Sequence, residues 1–151
     1  MSEVTESGDP RIERLLISEA ELRQRVKELA VEITAVYRDA DFLDVVTILK
    51  GAFIFAADLA REIHKAGGPA IRFHFLRASA YGASIKSDNE TGRDVLLQNI
   101  PDTLRERHVL LVEDILDQGF TLARIQQALR QRGVGSLRLC VLIEKELAAP
   151  T

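Results

Sequence analysis

Leu22, Val26, Leu29, Ala30 and Ile33 recur at helical spacing with charged residues between them, which predicts an amphipathic helix running to about Tyr37. Ser18 and Glu21 ahead of it have the spacing of a capping box. The period then changes. Asp44–Leu49, DVVTIL, is a short β-branched apolar run with the profile of a strand buried on both faces. Lys50–Gly51 breaks that run, and Ala52–Gly67 reads as a mostly apolar helix ending at Gly67–Gly68. Ile71–Ser79 alternates at its start and predicts a strand. Ala80–Asp94 has no period and is rich in Ser, Gly, Asn and Asp, which predicts a long loop. A short strand is expected in VLLQNI, a buried strand at His108–Glu113, an amphipathic helix at Gly119–Arg132 closed by Gly133, and a further buried strand at Leu137–Ile143.

Apolar strands separated by helices predict an α/β fold: an open, mainly parallel twisted sheet flanked by helices. No repeat or linker interrupts residues 1–151, so one domain is expected, with the polar residues 1–11 disordered. The chain is 46% hydrophobic, enough for one substantial core. Its net charge of −3 offers no basic excess, which argues against duplex nucleic acid as a partner. Cys140 lies within LRLCVLI and reads as a buried, inert thiol, consistent with a reducing cytoplasm. The start of the chain has no apolar segment of the secretory type, and no apolar run approaches the roughly 20 residues a membrane span needs. A cytoplasmic protein is expected, with no membrane partner.

The candidate chemistry lies where predicted strands end. Ligands bind beyond the carboxyl ends of parallel strands, and three strands end there in Lys50–Gly51, Glu113–Asp114 and Glu144–Lys145. Glu113, Asp114 and Asp117 would repel one another unless a divalent cation or a ligand rich in hydroxyl groups relieves them. Between Asp114 and the next helix lies a tight turn, Asp117-Gln118-Gly119-Phe120-Thr121. Its backbone N–H groups and the Thr121 hydroxyl suit a phosphate at a helix N-terminus. The acids suit a sugar's hydroxyls or its metal, and the turn a phosphate on the same sugar. His64, His74 and His108 share no metal-ligand spacing and read as structural or surface residues. The apolar stretch FIFAADLA reads as core.

The order strand, E-D-x-x-D-x-G-x-T, helix resembles the phosphoribosyl-diphosphate signature of the type I phosphoribosyltransferases. ILKGAFIFAADLAREI resembles the diphosphate-loop segment of the hypoxanthine-guanine branch, LLISEAELRQRVKELAVEI its opening helix, and RASAYG the entry to its flexible loop. Together these cover roughly Ile12 to Glu146. The resemblance implies a purine-salvage enzyme that uses Mg²⁺ and transfers 5-phosphoribose from phosphoribosyl diphosphate to a 6-oxopurine, giving IMP or GMP and diphosphate. Glu113 and Asp114 would hold the ribose 2- and 3-hydroxyls near the metal. Asp117 would sit beside the purine N7, as general base or as stabiliser of developing positive charge. Gln118, Gly119, Phe120, Thr121 and Leu122 would wrap the 5-phosphate. Lys50 and Gly51 would cradle the diphosphate, where the family often has a non-proline cis bond. Lys145 would donate to the exocyclic O6, and residues 80–94, with Tyr81, would form the closing lid. A homodimer or homotetramer is implied in the same way.

Three departures qualify the resemblance. Ala80 replaces a serine that usually precedes the lid tyrosine, so one diphosphate contact is lost. Gln118 stands where the family has a small hydroxyl residue. After Lys145 only Glu-Leu-Ala-Ala-Pro-Thr follows, where the family continues into a hood over the base. The hood's aromatic, its backbone groups and its metal-binding aspartate have no counterpart, leaving three readings: a longer parent protein, a lid from a partner, or a donor site without ordinary purine selection. A catalytically impaired or regulatory binding module is therefore the alternative to an enzyme. A phosphoacceptor receiver domain needs its acid pair after the first strand, and the P-loop and dinucleotide glycine patterns are absent.

Overall fold

The computed structural model describes residues 15–81, 94–98, 100–117 and 119–146. The expected disorder of residues 1–11, most of the expected lid and Gln118 lie outside that set. Element α1 spans Glu19–Val36, β1 Phe42–Leu49, α2 Phe53–Lys65, β2 Ala70–Tyr81 and β3 Asp94–Gln98. A 3-10 turn at Asp102–Leu104 leads to β4 at His108–Leu116, α3 at Phe120–Gln131 and β5 at Ser136–Glu144.

The expected capping box closes α1. Ser18 accepts from the Glu21 N–H, and the Glu21 carboxylate accepts from the Ser18 N–H. The strands form one sheet in the order β3-β2-β1-β4-β5. β1 pairs in parallel with β2 and β4, β4 in parallel with β5, and β3 is antiparallel to β2. Side-chain alternation then sorts the core into two layers. Leu43, Val45, Leu110, Val112 and Cys140 pack with α1 and α2 on one face. Val46, Ile48, Leu76, Val109 and Leu111 pack with Leu122, Ile125 and Leu129 of α3 on the other. Burying each such side chain contributes about 1.5–3 kcal/mol.

Two boundaries differ from the sequence expectation. β4 continues through the acids to Leu116, because Ile115 and Leu116 stay in register with Ile143 and Glu144 of β5. β2 continues to Tyr81, with Ala80 opposite Val95 and Tyr81 opposite Asp94. Ala80, Tyr81 and Asp94 thus belong to paired strands rather than to the expected loop, and residues 82–93 of that expectation lie outside the described residues.

The topology decides where a ligand can sit. From β1 the chain moves outward to β2 and β3, then returns across the sheet to β4. After β1 it turns into α2 on one face, and after β4 into α3 on the opposite face. The two connections diverge and leave a crevice at the carboxyl ends of β1 and β4, the switch point of an open α/β sheet.

Candidate active site

Glu113 and Asp114 occupy the last part of β4 and are neither fully buried nor exposed. Glu113 Oε1 accepts from the Asp114 N–H at 3.0 Å, and Asp114 Oδ1 accepts from the Ile115 N–H at 2.9 Å. Neither carboxyl is ion-paired among the described residues. Burial first, and then the neighbouring Asp114 carboxyl, push the Glu113 group up to about 7, against the opposing pull of the Asp114 N–H. Ionising both carboxyls at once is therefore costly, and a cation or hydroxyl donors would relieve that cost.

Gly51 brings the loop after β1 against this pair. A Cβ built on it would stand 2.9 Å from Asp114 Oδ2 and 3.3 Å from Asp114 Cγ, so any larger residue would have to displace the carboxylate. Lys50 and Gly51 are both exposed, and the Leu49–Lys50 peptide is cis.

On the other side of the crevice, Asp117 follows β4 and Lys145 follows β5. Lys145 Nζ lies 3.7 Å from Asp117 Oδ2, and the Lys145 N–H donates to the Leu116 carbonyl at 2.9 Å. That backbone bond holds the two strand ends together and sets the lysine beside the aspartate. Both side chains are more than half exposed, so the ion pair itself adds little stability.

The turn into α3 is built around Gly119, whose φ of 80° is the left-handed conformation that favours glycine. Thr121 and Phe120 are exposed at the start of the helix. Leu122 can serve the site only through its backbone. It is 5% exposed and packs with Ile125 and Leu129, so its side chain is core and only its backbone N–H can face a ligand. Neither α2 nor α3 has a side-chain cap at its N-terminus, whereas α1 is boxed by Ser18. Helix ends left without side-chain acceptors retain N–H donors for an anion.

The site therefore collects Lys50, Gly51, Glu113, Asp114, Asp117, Gly119, Phe120, Thr121 and Lys145 at one sheet edge. Tyr81 ends β2 opposite Asp94, on the outer side of β1 from the acids. Ile115 escaped the sequence reading. It is a large apolar residue 43% exposed at the ligand edge, between the acid pair and Asp117. The clue was its position within the acidic segment, where no core function explains an isoleucine. Among the described residues, no group of three or more His, Cys, Asp and Glu side chains could hold a metal by itself. Magnesium commonly takes one or two carboxylates and completes its shell with substrate phosphates and water, so the Glu113–Asp114 pair fits that use. No helix of the described residues is long and apolar enough to cross a membrane.

Residues 16–149 match the phosphoribosyl transferase domain family. The chain is 37% identical to the hypoxanthine phosphoribosyltransferase of Escherichia coli K12 over 133 residues, 87% of this chain and 70% of that protein. It is 34% identical to the hypoxanthine-guanine phosphoribosyltransferase of Bacillus subtilis over 134 residues, 89% of this chain and 70% of that protein. A crystal structure of a hypoxanthine-guanine phosphoribosyltransferase from Bacillus anthracis superposes with a TM-score of 0.77 at 34% identity, covering 89% of this chain and 75% of that one.

Proposed function

The chain belongs to the phosphoribosyl transferase domain family, in its hypoxanthine-guanine branch, and from that premise we infer how its sheet edge divides the work of the reaction. The protein is a purine-salvage phosphoribosyltransferase, an enzyme of the class that moves 5-phosphoribose from phosphoribosyl diphosphate to hypoxanthine or guanine. In that reaction a purine nitrogen bonds to C1 of the sugar as the bond from C1 to the diphosphate oxygen breaks. The observation that carries the residue assignment is the meeting of Gly51 with Asp114, which joins the loop after β1 to the acids of β4.

Glu113 and Asp114 hold the ribose hydroxyls and would hold Mg²⁺, which when bound neutralises charge on the diphosphate. The uncapped N-terminus of α3, with Gly119 and Thr121, takes the 5-phosphate. Lys50 and Gly51 take the diphosphate. Asp117 accepts the proton released by the base or stabilises the positive charge that builds on it. Lys145, already beside Asp117, donates to the O6 of a 6-oxopurine. Ile115 offers an apolar surface for the flat base. Tyr81 stands at the entrance to the segment assigned as the lid.

Diphosphate release measured with phosphoribosyl diphosphate, Mg²⁺ and each purine in turn tests the reading. Release is expected with hypoxanthine or guanine and not with adenine. Saturable donor binding without release for any base would contradict the catalytic assignment and favour a binding module.

Gly51→Ala forces the Asp114 carboxylate aside. The expected result is roughly a tenfold loss in kcat/KM for phosphoribosyl diphosphate, from displacement of a positioned group. Melting temperature should change little, because Gly51 is exposed. Unaltered donor kinetics would remove the close approach from the account. Assembly as a homodimer or homotetramer belongs to the same reading. Phe53 and Ile54 are exposed on α2, and the stacked Phe73 and Phe75 rings, 5.9 Å apart, are exposed on β2. A monomeric mass by sedimentation at micromolar concentration would contradict it.

A further inference from the structure

We propose that the outer edge of β5 is a self-complementary interface, on which a second copy of this chain adds its own β5 antiparallel to make one continuous sheet. β5 ends the sheet, and among the described residues nothing pairs with its outer side. Its nine residues, SLRLCVLIE, include no proline, and charge is confined to Arg138 and Glu144. Folded chains ordinarily blunt an exposed edge by short length, proline or charge, because its free N–H and C=O groups template another strand. Leu139 is 37% exposed, and Leu137, Val141, Leu142 and Ile143 are half-buried.

The order of charges selects the occupant. Residues 139–143 are all apolar and lie between a cation, Arg138, and an anion, Glu144. Antiparallel pairing centred on Val141 sets Arg138 of each copy opposite Glu144 of the other. The same register sets Leu139 opposite Ile143 and Cys140 opposite Leu142. Cys140 and Leu142 belong to the layer under α1 and α2, and Arg138 and Glu144 continue that face at two-residue steps.

Arg138 and Glu144 are both exposed, and neither is ion-paired among the described residues. Opposite charges directly across a ladder stabilise it, and like charges oppose it. Parallel pairing in register would set arginine against arginine and glutamate against glutamate. A patch that complements itself in this way is the geometry of a two-fold dimer. The contact uses none of Phe53, Ile54, Phe73 and Phe75, so it is separate from the apolar faces given to assembly above.

The test is sedimentation of the full chain across a concentration series, with charge variants that circular-dichroism melts show to be folded. Arg138→Glu sets like charges across the ladder twice and should weaken association roughly tenfold or more. The swap of Arg138→Glu with Glu144→Arg should restore it. In a Cys140→Ala, Val141→Cys variant the two new thiols face each other across the two-fold axis. Directly opposed Cα atoms there lie about 4.5–5.5 Å apart, within disulfide reach. Oxidation with copper-phenanthroline should yield a covalent dimer from that variant and none from Cys140→Ala alone. Unchanged association in Arg138→Glu, or no rescue by the swap, would overturn the proposal while leaving the phenylalanine faces as they stand. So would a Val141→Cys chain that forms no covalent dimer, the result expected if the edge is covered from within its own chain or by an unrelated strand.

Discussion

Asp117→Asn lowers the turnover of nucleotide synthesis by roughly 10²–10⁴-fold, the usual worth of a positioned acid–base group, while phosphoribosyl diphosphate affinity stays within about threefold. The reasoning starts from position. Asp117 is exposed just after β4, and its nearest charged neighbour is Lys145 at 3.7 Å. It is not tied to the acid pair or to the turn's backbone by any hydrogen bond among the described residues. Asparagine keeps its size and can still accept a hydrogen bond from Lys145. What it loses is the negative charge and the capacity to take a proton. The loss therefore falls on kcat, where base and sugar react, rather than on donor binding by Glu113, Asp114 and the α3 turn. Steady-state kinetics on hypoxanthine and guanine, with donor affinity measured separately, check the split. Near-normal turnover in the variant would remove Asp117 from the base role.

The second large effect is on stability and lies at the opposite end of the sheet. Asp44 is fully buried near the start of β1. Its carboxylate accepts from Arg72 Nε and Nη2 at 3.2 and 3.0 Å and from Arg107 Nη1 at 3.4 Å, and it lies 2.7 Å from His74 Nε2. Asp44→Ala should cost about 2–4 kcal/mol, because it strips a buried anion from partners on two other chain segments. The partly exposed arginines recover some hydration, which keeps the figure from being larger. For a chain of this size the melting temperature should fall on the order of 10 °C.

A pH dependence follows from the same group. Burial pushes Asp44 up, but the His74 hydrogen bond and the Arg72 and Arg107 charges outweigh it and hold the carboxyl below its ordinary value of 3.8. With the folded value depressed, the stabilisation is complete above about pH 4 and is lost as pH falls through the lower folded value. Asp44→Asn should remove that part of the acid sensitivity. Identical melting-versus-pH curves for the variant and the unaltered protein would contradict the assignment.

Local pattern made much of this architecture legible. The Ser18–Glu21 spacing located the start of α1, and the apolar runs located the centres of β1, β4 and β5. Punctuation by Lys50–Gly51 and by the acids marked the carboxyl-end edge of β1 and β4. What local pattern missed depends on partners far away in the chain. Asp44 heads an apolar run and looks like a strand boundary, yet it is buried because Arg72, His74 and Arg107 fold around it. The polar Glu113–Asp114 pair concealed the continuation of β4, which β5 pairing sustains. Tyr81 reads as loop because its strand partner Asp94 lies beyond a polar stretch. The side chain of Leu122 packs beside Ile125, a placement the helical period of α3 carries.

Titration calorimetry of phosphoribosyl diphosphate into the folded protein with Mg²⁺ most directly tests whether the β4 carboxylates and the neighbouring turn form a sugar-phosphate site. A saturable heat is predicted, abolished in a folded Glu113→Gln, Asp114→Asn double variant. No heat from the intact protein, or the same heat from the double variant, would contradict it.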